Sequence, residues 1–184
     1  MDSLAVLKTD LLDGANTIID VGTGAGFPGM VIAMAKPGIR VTLLDSQQKR
    51  LSFLQAVAKA AGVDNVEMVH ARAEDFARNR GMRERFDAAC ARAVAPLNVL
   101  CELLLPYVRV GGKMLCWKGP AVEEEIESGR RAAFLLGGKL QQPVPCRLAG
   151  RDWDHRILPV LKTGTTPQKY PRKAGTPKKE PLAT

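Results

Sequence analysis

Asp20 is followed by glycines at 22, 24, 26 and 29, after the β-branched run Thr17–Val21 and before a helical stretch over 29–36. Glycines between a strand and a helix let the backbone turn tightly and come close to a ligand. Gly24-x-Gly26-x-x-Gly29 matches the dinucleotide fingerprint, a weak signal alone and one that keeps a nicotinamide-dependent oxidoreductase in play. Two details oppose a pyrophosphate. Asp20 brings a carboxylate to the loop, and Pro28 stands where helix amides should face the phosphates. A carboxylate there suits a ligand that carries an ammonium and a sulfonium.

Asp45 ends a second strand, where an acid can accept both hydroxyls of an adenosine ribose. After a third strand, the loop His70–Asp75 is placed to meet an adenine edge through backbone groups near Ala73. These positions outline S-adenosylmethionine, with Asp20 and Gly22 near its amino-acid end. One such acid is more often a solvated carboxylate or a helix cap. Three acids after three successive strands favour a ligand, because open α/β sheets bind beyond the carboxyl ends of their strands. Arg92 and Lys118 follow the next two strands. Arg92 either pairs with a site acid or meets the ligand, and Lys118 is either a solvated strand end or a guide for a phosphate or nucleobase. Lys49 and Arg50 fall in the first turn of a helix, where the macrodipole disfavours cations, so an anionic partner or a surface ion pair is expected there. His70 and His155 supply no evident general base and, with four widely spaced cysteines, no metal cluster.

The elements that must hold these residues alternate. Strands are expected at Thr17–Val21, Ile39–Leu44, Val66–Val69, Phe86–Cys90 and Lys113–Trp117. Helices are expected at Gln47–Ala61, stopped by Gly62, at Leu97–Leu105 and at Val122–Leu136. Lys139–Leu148 and Trp153–Leu161, joined by a loop at 149–152, read as a closing antiparallel hairpin. The pattern predicts an α/β fold with a mostly parallel sheet covered by helices on both faces.

The chain has 184 residues, 46% hydrophobic and 25% charged, which suits one globular domain of residues 1–161 with an appendage. No apolar run approaches the roughly 18 residues that cross a bilayer, and no secretory signal opens the sequence. Isolated cysteines in apolar stretches (Cys90, Cys101, Cys116) read as reduced thiols of a cytoplasmic protein. The net charge is +8, and residues 162–184 carry six basic residues against Glu180 alone. Four prolines, two glycines and little to bury make this segment read as an extended or mobile arm that neutralises phosphates. Its removal is then expected to spare cofactor binding. A small-molecule methyltransferase fits the core equally well, and the basic segment is what opposes it.

Asp20–Gly29 (DVGTGAGFPG), Leu43–Leu54 (LLDSQQKRLSFL), Ala91–Leu97 (ARAVAPL), Trp117-Lys118-Gly119 and Tyr170–Leu182 (YPRKAGTPKKEPL) together resemble the RsmG, or glucose-inhibited division protein B, family. The resemblance implies a Rossmann-like S-adenosylmethionine-dependent methyltransferase fold, with a seven-stranded sheet and a terminal antiparallel hairpin. It implies methyl transfer to N7 of a guanine in bacterial 16S ribosomal RNA, free or within the small ribosomal subunit. Nothing in the sequence demands more than a monomer, and no metal is expected. It implies cofactor contacts at Gly22, Phe27, Ala73, Glu74 and Arg92, to which the loop and ribose arguments add Gly24 and Asp45. Lys118, Arg172, Lys173, Lys178 and Lys179 are the candidate RNA contacts. The family carries a helical segment before the fold and a His-x-x-Asp-Ser-Leu-like motif leading into it. The sequence opens at Met1-Asp2-Ser3-Leu4, inside that motif, so that helical segment is expected to be missing. A noncatalytic RNA-binding relative of the same fold is the competing expectation.

Overall fold

The computed structural model describes residues 2–92, 95–146 and 155–183. After a 3-10 turn (Asp2–Lys8), the strands are β1 (Thr17–Val21), β2 (Arg40–Asp45), β3 (Val66–His70), β4 (Phe86–Arg92), β5 (Val108–Lys118), β6 (Gly138–Leu140), β7 (Val144–Pro145) and β8 (Arg156–Lys162). The helices are α1 (Gly29–Ala35), α2 (Gln48–Ala61), α3 (Ala73–Phe76), α4 (Leu97–Leu104), α5 (Ile126–Leu135) and α6 (Thr176–Lys179). All the strands belong to one sheet in the order β3-β2-β1-β4-β5-β8-β6, with β7 also on β8. The first five run parallel and β8 pairs antiparallel with β5, β6 and β7. The order reverses between β1 and β4, which opens a crevice at their carboxyl ends.

Side chains that alternate along the strands feed two cores, one on each face. On β4, Ala89 and Ala91 pack on the α4–α5 side, and Ala88 and Cys90 on the α1–α2 side. β5 repeats this with Met114 and Cys116 against Leu115 and Trp117. Burial on both faces is why these strands read as continuous apolar runs. In α2, Leu51, Leu54 and Ala58 are buried at helical spacing, and the helix stops at left-handed Gly62 (φ 66°). The four cysteines are free and buried. Among the described residues no helix is long and apolar enough to cross a membrane.

Two expected elements need correction, and a third cannot be compared. The strand expected at Lys139–Leu148 is broken into β6 and β7, because Pro143 has no amide to donate and Pro159 on the facing strand has none either. The loop expected at 149–152, with Trp153, lies outside the described residues. The helix expected from Val122 begins instead as a 3-10 turn (Pro120–Glu125). There Glu125 turns its carboxylate inward, to the Lys118 ammonium (2.6 Å) and the Leu97 amide (2.5 Å).

The largest correction concerns residues 162–184, which fold back onto the domain. Arg83 donates to the carbonyls of Thr166 (2.7 Å) and Tyr170 (2.8 Å), and Arg78 to that of Pro171 (2.9 Å). The Tyr170 side chain is buried, and Asn98 holds the Leu182 carbonyl. Arg172 makes a forked pair with Glu102 of α4, Nε to Oε1 at 2.9 Å and Nη2 to Oε2 at 2.7 Å. Lys162 is interior: its ammonium meets the Leu105 carbonyl (2.7 Å), Glu84 (3.1 Å) and Thr166, and burial pushes its pKa down to about 8. The segment is ordered by cations bonding its own carbonyls, a device that composition does not register.

Asp87 ties the opposite end of the sheet. Its Oδ2 accepts from the amides of Asn16 (2.8 Å) and Thr17 (2.9 Å) and from the Thr17 hydroxyl, and its Oδ1 from Arg109 (2.7 Å). Burial raises this carboxyl, but those donors outweigh it and hold the pKa at about 2. A depressed native pKa adds stability above pH 4 that is lost as the pH falls towards 2. Asp87→Asn is therefore expected to cost about 1 kcal/mol at pH 7, after solvent screening of the Arg109 end, and progressively less below pH 4. Urea unfolding across that range measures it. Arg172→Ala leaves the Glu102 carboxylate buried without its counter-ion and is expected to cost about 3 kcal/mol in the same assay.

Candidate functional site

The site begins at the end of β1. Asp20 is fully buried, and its Oδ2 accepts from the Thr23 hydroxyl (2.7 Å) and the Gly29 amide (2.9 Å). The loop between them turns through left-handed glycines at 22, 24 and 26 (φ 71°, 58° and 91°). Gly29 admits no side chain: a Cβ there would lie 2.7 Å from Asp20 Oδ2 and 2.5 Å from Leu43 Cδ2. Burial pushes the Asp20 pKa up to about 6, against the Thr23 and Gly29 hydrogen bonds and the charge of Arg92. Asp20 was expected near the ligand's amino-acid end, but it sits a layer beneath the surface and shapes the loop. Because its carboxylate takes the first amide of α1, that helix end is not free to cradle a pyrophosphate.

Beyond the carboxyl ends of β1, β2 and β3 lies a cavity of about 370 Å³, of a size for a nucleoside-like ligand. One wall carries Gly22 and Asp45, another Ala73 and Glu74, and the apolar face of α4 (Val99, Leu100, Leu103, Leu104) supplies a third. Gly175, Pro177, Lys178 and Lys179 close it. The Asp45 carboxylate accepts from the amides of Gln47 (2.9 Å) and Gly24 (3.0 Å) and lies 3.4 Å from Arg50. Glu74 is buried, and its Oε1 accepts from the Gly175 amide (2.7 Å), so α3 and the C-terminal segment share one carboxylate. The Tyr107 hydroxyl fixes the Ala73 carbonyl (2.5 Å), and burial pushes its pKa up.

Of the residues singled out by sequence, Gly22, Asp45, Ala73 and Glu74 therefore line one cavity. Gly24 stands on its outer lip, bordering a second depression with Ala25, Lys49, Arg50 and Phe53. Phe27 and Arg92 lie apart from the cavity lining and stack on each other, with the guanidinium 5.0 Å from the ring centroid. Lys178 and Lys179 are exposed on the cavity rim, and Lys173 is exposed away from it. Two of the expected RNA contacts are engaged within the chain. Lys118 is a largely covered strut, bonded to the Ala95 carbonyl (2.7 Å) and to Glu125, because the turn after β5 packs over it. Arg172 is spent on Glu102. Sequence reasoning missed Gly175 and Pro177 as cavity walls, and Glu102, an acid inside the apolar run Leu97–Leu104, was the available signal that a distant cation must return to it. Among the described residues no cluster of His, Cys, Asp and Glu could hold a metal ion.

With this geometry in place, likeness to known proteins is informative. Residues 1–152 match the GidB family, described as rRNA small subunit methyltransferase G. Ribosomal RNA small subunit methyltransferase G of Alkaliphilus oremlandii is 47% identical over 182 residues, covering 99% of this chain and 76% of that protein. The protein of that name from Clostridium tetani is 46% identical over the same shares of both chains. Among solved structures, the mitomycin 7-O-methyltransferase MmcR superposes with a TM-score of 0.70 at 16% identity, over 88% of this chain. The chain spans about half that enzyme's length, 53%. The 16S rRNA (adenine(1408)-N(1))-methyltransferase of Catenulisporales acidiphilia gives a TM-score of 0.67 at 15% identity, over 83% of this chain and 87% of the other. At such identities the structures establish the fold, a methyltransferase sheet with its antiparallel closing strands. The sequence match establishes the lineage: the chain belongs to the rRNA small subunit methyltransferase G family.

Proposed function

We propose that this chain transfers a methyl group from S-adenosylmethionine to N7 of a guanine in bacterial 16S ribosomal RNA, free or within the small subunit, and that it does so as a monomer in the cytoplasm. The observation that carries the reading is the convergence of Gly22, Asp45, Ala73 and Glu74 on one cavity beyond β1–β3, in a chain of this family. The residues fit the cofactor. Asp45 uses three of its roughly four acceptor positions and keeps capacity for a ribose hydroxyl. The backbone at Ala73 and Glu74 offers polar groups to an adenine edge, and the α4 leucines offer an apolar face to its ring. Gly22 allows the close approach that the amino-acid end requires.

Bound there, S-adenosylmethionine supplies a methyl group made electrophilic by its sulfonium. Guanine N7 presents a lone pair, so no proton has to be removed before attack and no side chain is assigned as a general base. The chain's contribution is positioning, which in well-oriented systems is worth effective molarities on the order of 10⁵ M and above. Asp20 fixes the loop, Arg92 with Phe27 shapes the mouth between β1 and β4, and Lys173, Lys178 and Lys179 attract RNA phosphates. The fold-back segment completes the cavity within one chain, which supports a monomer.

Tritiated methyl transfer to deproteinised 16S rRNA and to small subunits, followed by nucleoside analysis, is expected to place label in 7-methylguanosine. Cofactor binding without any label would overturn the reading. Asp45→Ala is expected to weaken cofactor binding roughly tenfold or more by calorimetry, in line with loss of a charge-assisted hydrogen bond. Removing residues 163–184 takes away a cavity wall and the Gly175 bond to Glu74. It is expected to abolish cofactor binding and also to lower the salt dependence of RNA binding, against the expectation from sequence that cofactor binding is spared.

A further inference from the structure

The second depression, of about 270 Å³, lies on the outer side of the glycine loop, bordered by Gly24, Ala25, Lys49, Arg50 and Phe53. Its chemistry differs from that of the cofactor cavity. Phe53 points outward from α2 and is 58% exposed, although Leu51 and Leu54 beside it are buried. Lys49 stands one helical turn before Phe53, on the same face of α2. The first turn of α2 holds both cations, no acid and no side-chain cap, an arrangement the helix dipole disfavours. Arg50 is half exposed, lies 3.4 Å from Asp45, and borders both this depression and the cofactor cavity. Among the described residues Lys49 has no ion-pair partner. The loop is seated firmly on the helix: a Cβ at Gly26 would lie 2.7 Å from Leu54 Cδ2. An open aromatic ring, two cations beside it and a glycine backbone floor form one rigid surface.

We infer that this depression binds one unpaired nucleotide of the RNA substrate, adjacent to the one that is methylated, with its base stacked on Phe53 and its phosphate held by Lys49 and Arg50. The inference rests on the proposed rRNA substrate. An exposed aromatic flanked by cations is the pairing that single-stranded nucleic acid requires, because every base has a stacking face and every linkage a negative charge. The shared border at Arg50 makes the nucleotide site continuous with the cofactor cavity, so an RNA strand crossing the glycine loop meets both. The local cost of two cations at a helix start is then offset by the phosphate they hold.

The test compares the full chain with its Phe53→Ala, Phe53→Trp and Lys49→Ala variants, using deproteinised 16S rRNA as the probe. Expected for Phe53→Ala is a rise of about tenfold in KM for RNA and in the RNA dissociation constant, with Phe53→Trp retaining both. Lys49→Ala is expected to lower the salt slope of RNA binding by about 0.7. Cofactor affinity, and kcat at saturating RNA, are expected to stay at the parent value in all three. Unchanged RNA affinity in Phe53→Ala and Lys49→Ala overturns the inference. So does a parent chain that sediments as a dimer and becomes monomeric in Phe53→Ala, since the ring would then serve a second copy. A parent chain that binds cofactor and RNA but transfers no methyl group sinks the proposed reaction instead, and the RNA dissociation constants still decide this site.

Discussion

The Asp20 carboxylate, buried at the end of β1, is the point from which the rest of the site is built. Through a single oxygen it binds the Thr23 hydroxyl and the Gly29 amide, closing the loop between a strand and a helix around one charge. Burying an acid disfavours its ionised form, and its raised pKa reflects that cost. What the cost secures is a backbone that leaves β1 in a fixed direction. The direction places Gly22 at the cavity wall and leaves the amide of Gly24 for Asp45. Loop, second strand and cavity are thus coupled through two carboxylates and the amides between them.

Much of this was legible in the sequence because it depends on local rules. The glycine spacing and the acid before it define a strand, a tight turn and the start of a helix within thirteen residues. Gly62 marks a helix end because it adopts at little cost the left-handed conformation that other residues avoid, and Asp45 marks a strand end at a ligand crevice. The alternation of apolar side chains on β4 and β5 dictates two helical layers. These features need no knowledge of distant residues.

The illegible part is nonlocal and polar. Residues 162–184 look soluble when counted, because lysines, arginines and prolines are counted alike wherever they end up. In the structure their cations divide. Lys162 and Arg172 point inward to single acids, and Lys173, Lys178 and Lys179 remain exposed. Arg78 and Arg83, from a loop some ninety residues earlier, supply donors to the segment's carbonyls. The surroundings of Lys118 were illegible for the same reason: the end of a strand is exposed only if the following turn does not cover it. Charge predicts solvent exposure well only where no buried carboxylate awaits it.

The bond between Glu74 and Gly175 joins positions 101 residues apart in the sequence. Residues 175–179, which wall the cavity, come after every strand of the sheet in the sequence, since β8 ends at Lys162. The last part of the cavity to be synthesised is therefore its carboxyl-terminal wall, so a product that stops before Gly175 lacks the surface supplied by Gly175, Pro177, Lys178 and Lys179.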